Sequence, residues 1–151
     1  MDIQQQLKVL NKLYKESDYI YSNLASRLGM SNSMFWILYA ISHSEEPLTQ
    51  NDLCNDYFFP LQTVNSAVAN LLKKGIIELE FIPSTRNRKK IILTDKGKKF
   101  TNETINKADE IEKNAFLRFS EEERETYISL FQRHIDYLKK EEKRMIDALS
   151  E

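Results

Sequence analysis

Residues 48–97 read LTQNDLCNDYFFPLQTVNSAVANLLKKGIIELEFIPSTRNRKKIILTDKG, and the order of local structures they encode decides the fold. Thr49 can cap a short helix, with Asp52 in its first turn and Leu53 and Cys54 turned to a core. A second helix is predicted from about Pro60 to Lys74, with Val64, Ala67, Val68, Leu71 and Leu72 inward, and Gly75 follows as a helix-ending residue. Ile77, Leu79 and Phe81 then alternate with Glu78 and Glu80, the period of a half-buried strand. Ile91-Ile92-Leu93 returns as its partner after the tip Pro83-Ser84-Thr85-Arg86-Asn87-Arg88-Lys89-Lys90. Thr94 is placed to cap a long helix from about Asp95 to Phe116, with Gly97 in its first turn.

Two short helices followed by a hairpin arm is the layout of a winged helix-turn-helix. Working outward, a first helix is expected from about Asp2 to Leu28, with Leu7, Leu10, Tyr14, Tyr21, Leu24 and Leu28 at three-four spacing. Ser31 is a good N-cap for the next, whose Phe35-Trp36-Ile37-Leu38-Tyr39-Ala40-Ile41 is apolar all round and reads as the buried centre. Ser120 and Glu123 form a capping box for a last helix reaching past Met145. There Ile128, Phe131, Ile135, Leu138, Met145 and Leu149 repeat as the seam of a coiled-coil-like contact. With only three glycines and three prolines, none breaking a periodic segment, the class is mainly α with a small β-hairpin wing.

Charge is distributed unevenly. The 151 residues carry a formal net charge of -1, which alone argues against nucleic acid as a partner. Between Pro60 and Lys99, however, nine basic residues face three acidic ones, so that segment carries +6 and the remainder -7. Cys54 is the only cysteine, which rules out an intrachain disulfide and suits a reducing cytoplasm. The N-terminus lacks the pattern of a signal peptide, and no apolar stretch approaches the roughly 20 residues that span a bilayer. A cytoplasmic protein without membrane contact is the expectation. His43 and His134 lie far apart in sequence with no metal spacing, phosphate loop or nucleophile motif, so no enzymatic activity, metal or cofactor is expected.

The inward set of the second motif helix leaves Gln62, Thr63, Asn65, Ser66, Ala69, Asn70 and Lys73 facing out. Amides and hydroxyls in the first turns of such a helix are the groups that read base edges in a major groove. An ordinary solvated face prefers Glu and Lys, and this one is uncharged and amide-rich. Lys73 and Lys74 suit phosphates. Arg86 and Arg88, on a narrow arm, suit the minor groove, where negative potential attracts them, and Lys89 and Lys90 the backbone.

Three segments together resemble the MarR family of bacterial winged-helix regulators. Leu48 to Leu53 looks like the family's first motif helix. Gln62 to Ala67 through Leu71 to Ile77 looks like its recognition helix and following strand. Arg86-Asn87-Arg88 through Leu93-Thr94-Asp95-Lys96-Gly97 looks like its wing and Leu-Thr-x-x-Gly exit. The similarity covers essentially the whole chain, 1–151, with a DNA-binding lobe at about 30–97 between dimerisation helices at about 1–28 and 98–151. Two departures stand out: Ser84 and Thr85 lie where family wings often carry an aspartate, and Ser66 where many members carry an arginine.

The resemblance implies a homodimeric transcription regulator, a repressor acting at a pseudo-palindromic operator in double-stranded DNA. It also implies a small-molecule effector, whose site Phe35, Trp36, Tyr14, Tyr21 and Tyr39 could line, although aromatic residues at helical spacing are more often core. Thiol-sensing members carry their reactive cysteine near the first helix, whereas Cys54 reads as small packing. Two alternatives stay open: a winged-helix interaction module that does not touch DNA, and a DNA-binding regulator with no effector.

Overall fold

The computed structural model describes residues 1–151. In chain order the elements are α1 (Ile3–Arg27), α2 (Asn32–His43), α3 (Gln50–Asn55), α4 (Leu61–Lys73), β1 (Ile77–Phe81), β2 (Lys89–Leu93), α5 (Asp95–Glu103), α6 (Ile105–Phe116) and α7 (Glu121–Leu149). Two compact units divide the chain after Asp109.

The first unit, residues 1–109, is organised around α2. Ser31 caps that helix by accepting from the Met34 amide at 3.2 Å. Phe35, Ile37 and Leu38 are fully buried on it, and Leu53, Val64, Leu71, Ile91 and Ile105 close around them from α3, α4, β2 and α6. Each such side chain contributes roughly 1.5–3 kcal/mol by leaving water. On α1 only Ala25 is buried, while Tyr21, Leu24 and Leu28 pack half-covered against the core. The N-terminal part of α1 stays uncovered, with Leu7, Val9 and Leu13 exposed.

β1 and β2 form a two-stranded antiparallel hairpin in which Ile77 faces Leu93, Leu79 faces Ile91 and Phe81 faces Lys89. The Ile91 amide donates outward to the Leu48 carbonyl at 2.7 Å, so the chain entering α3 pins the free edge of β2. The alternating face of β1 does not stay in the core along its whole length. Ile77 is buried and Leu79 half-buried, but Phe81 is 63% exposed because the arm has left the body by that point. Leu72 is likewise exposed rather than inward, since α4 offers its apolar stripe at Val64, Ala67, Val68 and Leu71 and Leu72 lies one residue step round the helix from it. Cys54 is half-buried at the margin of the core rather than within it.

The helix expected from Asp95 to Phe116 is broken at Thr104, whose φ of -124° and ψ of -74° end α5 before α6 begins. Two buried threonines account for the break. Thr101 donates its hydroxyl to the Lys98 carbonyl and Thr104 donates to that of Phe100, so side chains take carbonyls that the ladder would use.

His43 ends α2 and clamps it to α6. Its Nε2 lies 2.6 Å from Asp109 Oδ2, its ring stacks on Tyr39 at 4.1 Å, and Asp109 Oδ1 is buried without a hydrogen-bond partner. His43→Ala would strand that carboxylate. With the pair about a third exposed, we expect a loss of about 1 kcal/mol, read in urea unfolding at pH 7. A midpoint equal to wild type would show the clamp to be idle.

The second unit, residues 110–151, comprises the end of α6 and α7. Ser120 caps α7 through the expected box with Glu123, and Glu121, Glu122 and Glu123 oppose the positive end of the helix dipole. Phe116, Phe119, Tyr127 and Phe131 form a ladder of ring contacts 6.0–6.4 Å between centroids. No α7 residue is buried, and Ile128, Phe131, Leu138 and Met145 all stand exposed. No helix is long and apolar enough to cross a membrane.

Candidate nucleic-acid interface

α3 starts on a complete capping box. Thr49 Oγ1 accepts from the Asp52 amide at 3.2 Å, and Asp52 Oδ2 accepts from the Thr49 amide at 2.7 Å. After Asn55 the chain turns through Phe58, whose φ of 62° is rare for a bulky residue and costs about 1–3 kcal/mol. That twist sends Phe59 inward, where its amide donates to the Leu53 carbonyl at 3.2 Å. Tyr57, Phe58 and Leu61 are left exposed beside the start of α4.

Pro60 precedes α4 without a side-chain cap, so the first amides of this helix open outward. Gln62, Asn65, Ser66 and Asn70 are exposed along one face, with Thr63 half-buried beside them. Lys73 and Lys74 are exposed at the far end. The Lys74 carbonyl accepts from Lys96 Nζ at 2.7 Å, a cation at the negative end of the α4 dipole. From α3, Gln50 Nε2 donates to Asn65 Oδ1 at 2.8 Å.

The arm is built stiffly at its base. Thr94 Oγ1 donates to the Gly75 carbonyl at 2.6 Å and accepts from the Gly97 amide at 3.0 Å, tying the end of α4, the strands and α5 at one point. At the tip, Pro83 and Ser84 are the central residues of a turn closed by the Thr85 amide and hydroxyl on the Ile82 carbonyl. Ser84 has φ 67°, the sign that the third position of a type II turn needs. Thr85 thus secures the tip through the main chain. Arg86, Asn87 and Arg88 are exposed on it. Lys89 lies over the Phe81 ring at 4.8 Å and Lys90 stands opposite Glu80 in the ladder, so both lysines are partly held by the hairpin.

The sequence-predicted residues therefore fall into two groups, an amide and hydroxyl face on α4 and a cationic tip on the arm. Three features escaped the reading of the sequence. Tyr57 and Phe58 belong to an aromatic run that looks like core, and only the positive φ turns one ring out and the next in. Leu61 precedes the inward stripe, at a position that helical periodicity does not mark. Gln50 lies fifteen residues from Asn65, and no periodicity reports a contact set by how two helices cross. No group of three or more His, Cys, Asp or Glu side chains is placed to hold a metal ion.

Two helices joined by a tight turn, the second with its polar face uncovered, and a cationic hairpin beyond them define a winged helix-turn-helix. Residues 28–86 match the model of the MarR family, so the resemblance holds for the segment running from the end of α1 to the tip of the wing. The fold matches solved MarR structures over most of the chain. A MarR family regulator from Neisseria meningitidis superposes with a TM-score of 0.76 at 20% identity, covering 93% of this chain and 96% of that one. The Staphylococcus aureus MepR–DNA complex gives 0.71 at 23%, covering 88% and 97%. Staphylococcus aureus MarR in complex with salicylate and kanamycin gives 0.70 at 15%, covering 91% and 93%. No curated protein matches the sequence significantly.

Proposed function

We propose that this protein is a DNA-binding transcription regulator, a homodimeric repressor of a pseudo-palindromic operator. The observation that carries the reading is the pairing of an uncovered amide face on α4 with arginines at the tip of a braced arm. Gln62, Thr63, Asn65, Ser66 and Asn70 would meet base edges in the major groove. Arg86 and Arg88 would enter the adjacent minor groove, while Lys73, Lys74, Lys89 and Lys90 would hold phosphates. The MepR–DNA complex supports the reading by analogy of fold.

The dimer rests on uncovered apolar side chains of α1 and α7, Leu7 and Leu13 on one, Ile128, Leu138 and Met145 on the other. A two-fold axis would set two α4 helices one turn of DNA apart, about 34 Å, each reading one half-site. A small molecule could then act by shifting the population of dimers with that spacing. The salicylate complex of Staphylococcus aureus MarR makes aromatic acids a reasonable first class to try.

The test is fluorescence anisotropy with duplex from upstream of the protein's own gene, across a salt series. Specific binding with a steep salt slope is expected, and Thr63→Ala should weaken it about tenfold at matched salt. Indifference to duplex at low salt would sink the reading in favour of a protein-interaction module.

A further inference from the structure

We propose that Gln50 is a positioning residue for base recognition, setting the orientation of the Asn65 amide so that it reads an adenine. The proposal rests on the reading of α4 as the recognition helix.

An asparagine side chain ends in two groups of similar size and opposite hydrogen-bonding sense. Read one way up, Nδ2 donates to adenine N7 while Oδ1 accepts from its N6 amine; turned over, the pattern is inverted and no longer fits adenine. An asparagine exposed alone on a helix samples both. Here Gln50 Nε2 donates to Asn65 Oδ1 at 2.8 Å, which fixes the oxygen toward α3 and Nδ2 away from it. Oδ1 has two lone pairs, so one remains for a base after Gln50 has taken the other. Donation into Oδ1 also draws electron density from the amide and makes Nδ2 the better donor. Asn65 is exposed and Gln50 half-buried beside it, and their backbones are held firmly. Gln50 lies within the Thr49–Asp52 capping box and Asn65 lies between buried Val64 and Ala67, so neither partner can drift without disturbing the core.

The experiment selects preferred sites from a random duplex pool with the wild-type chain and with Gln50→Ala, Asn65→Ala, the double variant and Gln50→Glu. Selected sites are then re-measured with 7-deazaadenine at the Asn65-dependent position. Asn65→Ala should erase an adenine preference at one position per half-site. Gln50→Ala should reduce the preference at that same position about fivefold, leave other positions and the salt slope unchanged, and have no further effect in the double variant. Wild type should lose on 7-deazaadenine the N7 share of what Asn65→Ala loses on adenine, keeping only the contact to the N6 amine. Gln50→Glu can only accept, so it should draw Nδ2 inward and abolish the adenine preference altogether.

A uniform weakening at all positions by Gln50→Ala would make the contact a plain strap between helices and overturn the proposal. So would additivity with Asn65→Ala, or a wild type equally content with 7-deazaadenine. If wild type enriches no sequence and binds no duplex, the regulator reading itself fails and this assignment with it.

Discussion

A chain carrying Arg86→Ala, Arg88→Ala and Lys90→Ala together is expected to bind operator on the order of a hundredfold more weakly at 0.15 M salt, with its folding unchanged. Arg86 and Arg88 are exposed at the tip and Lys90 is half-buried on β2 opposite Glu80, and none of the three belongs to the core. Lys89 is left in place because its packing over Phe81 helps to hold the hairpin. Each cation brought against the duplex, in the minor groove or at a phosphate, displaces counterions and contributes about 0.9 to the slope of log affinity against log salt. The proposed dimer would present two wings, so the slope should flatten by about 5. A flattening near 3 would mean that one wing engages each site, and the symmetric arrangement would have to be abandoned. No change in slope at all would show that the arm stays clear of the duplex.

Gly97→Ala is expected to be the most damaging single-methyl change in the lobe. A Cβ built there would meet the Ile76 carbonyl oxygen at 1.9 Å and its carbon at 3.0 Å, with Leu93 Cδ2 at 3.2 Å. The two Ile76 atoms are main chain just before β1, and they cannot swing aside as a side chain would. The same Ile76 oxygen accepts from the Thr94 amide at 3.1 Å and from its hydroxyl at 3.2 Å, so moving it loosens the cap of α5 as well. Overpacking and a weakened cap together should cost about 3 kcal/mol or more. Small domains hold about 5–15 kcal/mol in all. Thermal unfolding should then fall by roughly 10 °C, with the arm displaced and DNA binding lost. A variant melting within a degree or two of wild type would show that the strands re-register freely around Gly97.

Much of this architecture is written in local chemistry. Ser31, Thr49, Thr94 and Ser120 each make the capping bond that their position implied, because a cap needs only the chain within three residues of it. The apolar run of α2 could only be a centre, and Phe35, Ile37 and Leu38 are buried there. Failures came where burial is decided at a distance. Leu72 and Phe81 have the hydrophobicity and spacing of inward residues, but Leu72 lies one step round the helix from the buried Leu71 and Phe81 lies where the arm has left the body. Thr101 and Thr104 look like ordinary helix residues until burial forces their hydroxyls onto main-chain carbonyls and the helix breaks.

The proposed interface divides the same way. Which residues are amides, hydroxyls and arginines, and that they fall on one helix face and one arm tip, followed from the sequence because spacing along one element is a local property. That Gln50 meets Asn65, that Lys89 lies on Phe81 while Arg86 and Arg88 stand exposed, and that Gly97 has no room for a methyl group followed only from the tertiary structure. Those contacts join residues 8–21 positions apart on different elements. Their geometry is set by how a shared core packs helix against helix and strand against helix, which no stretch of chain specifies by itself.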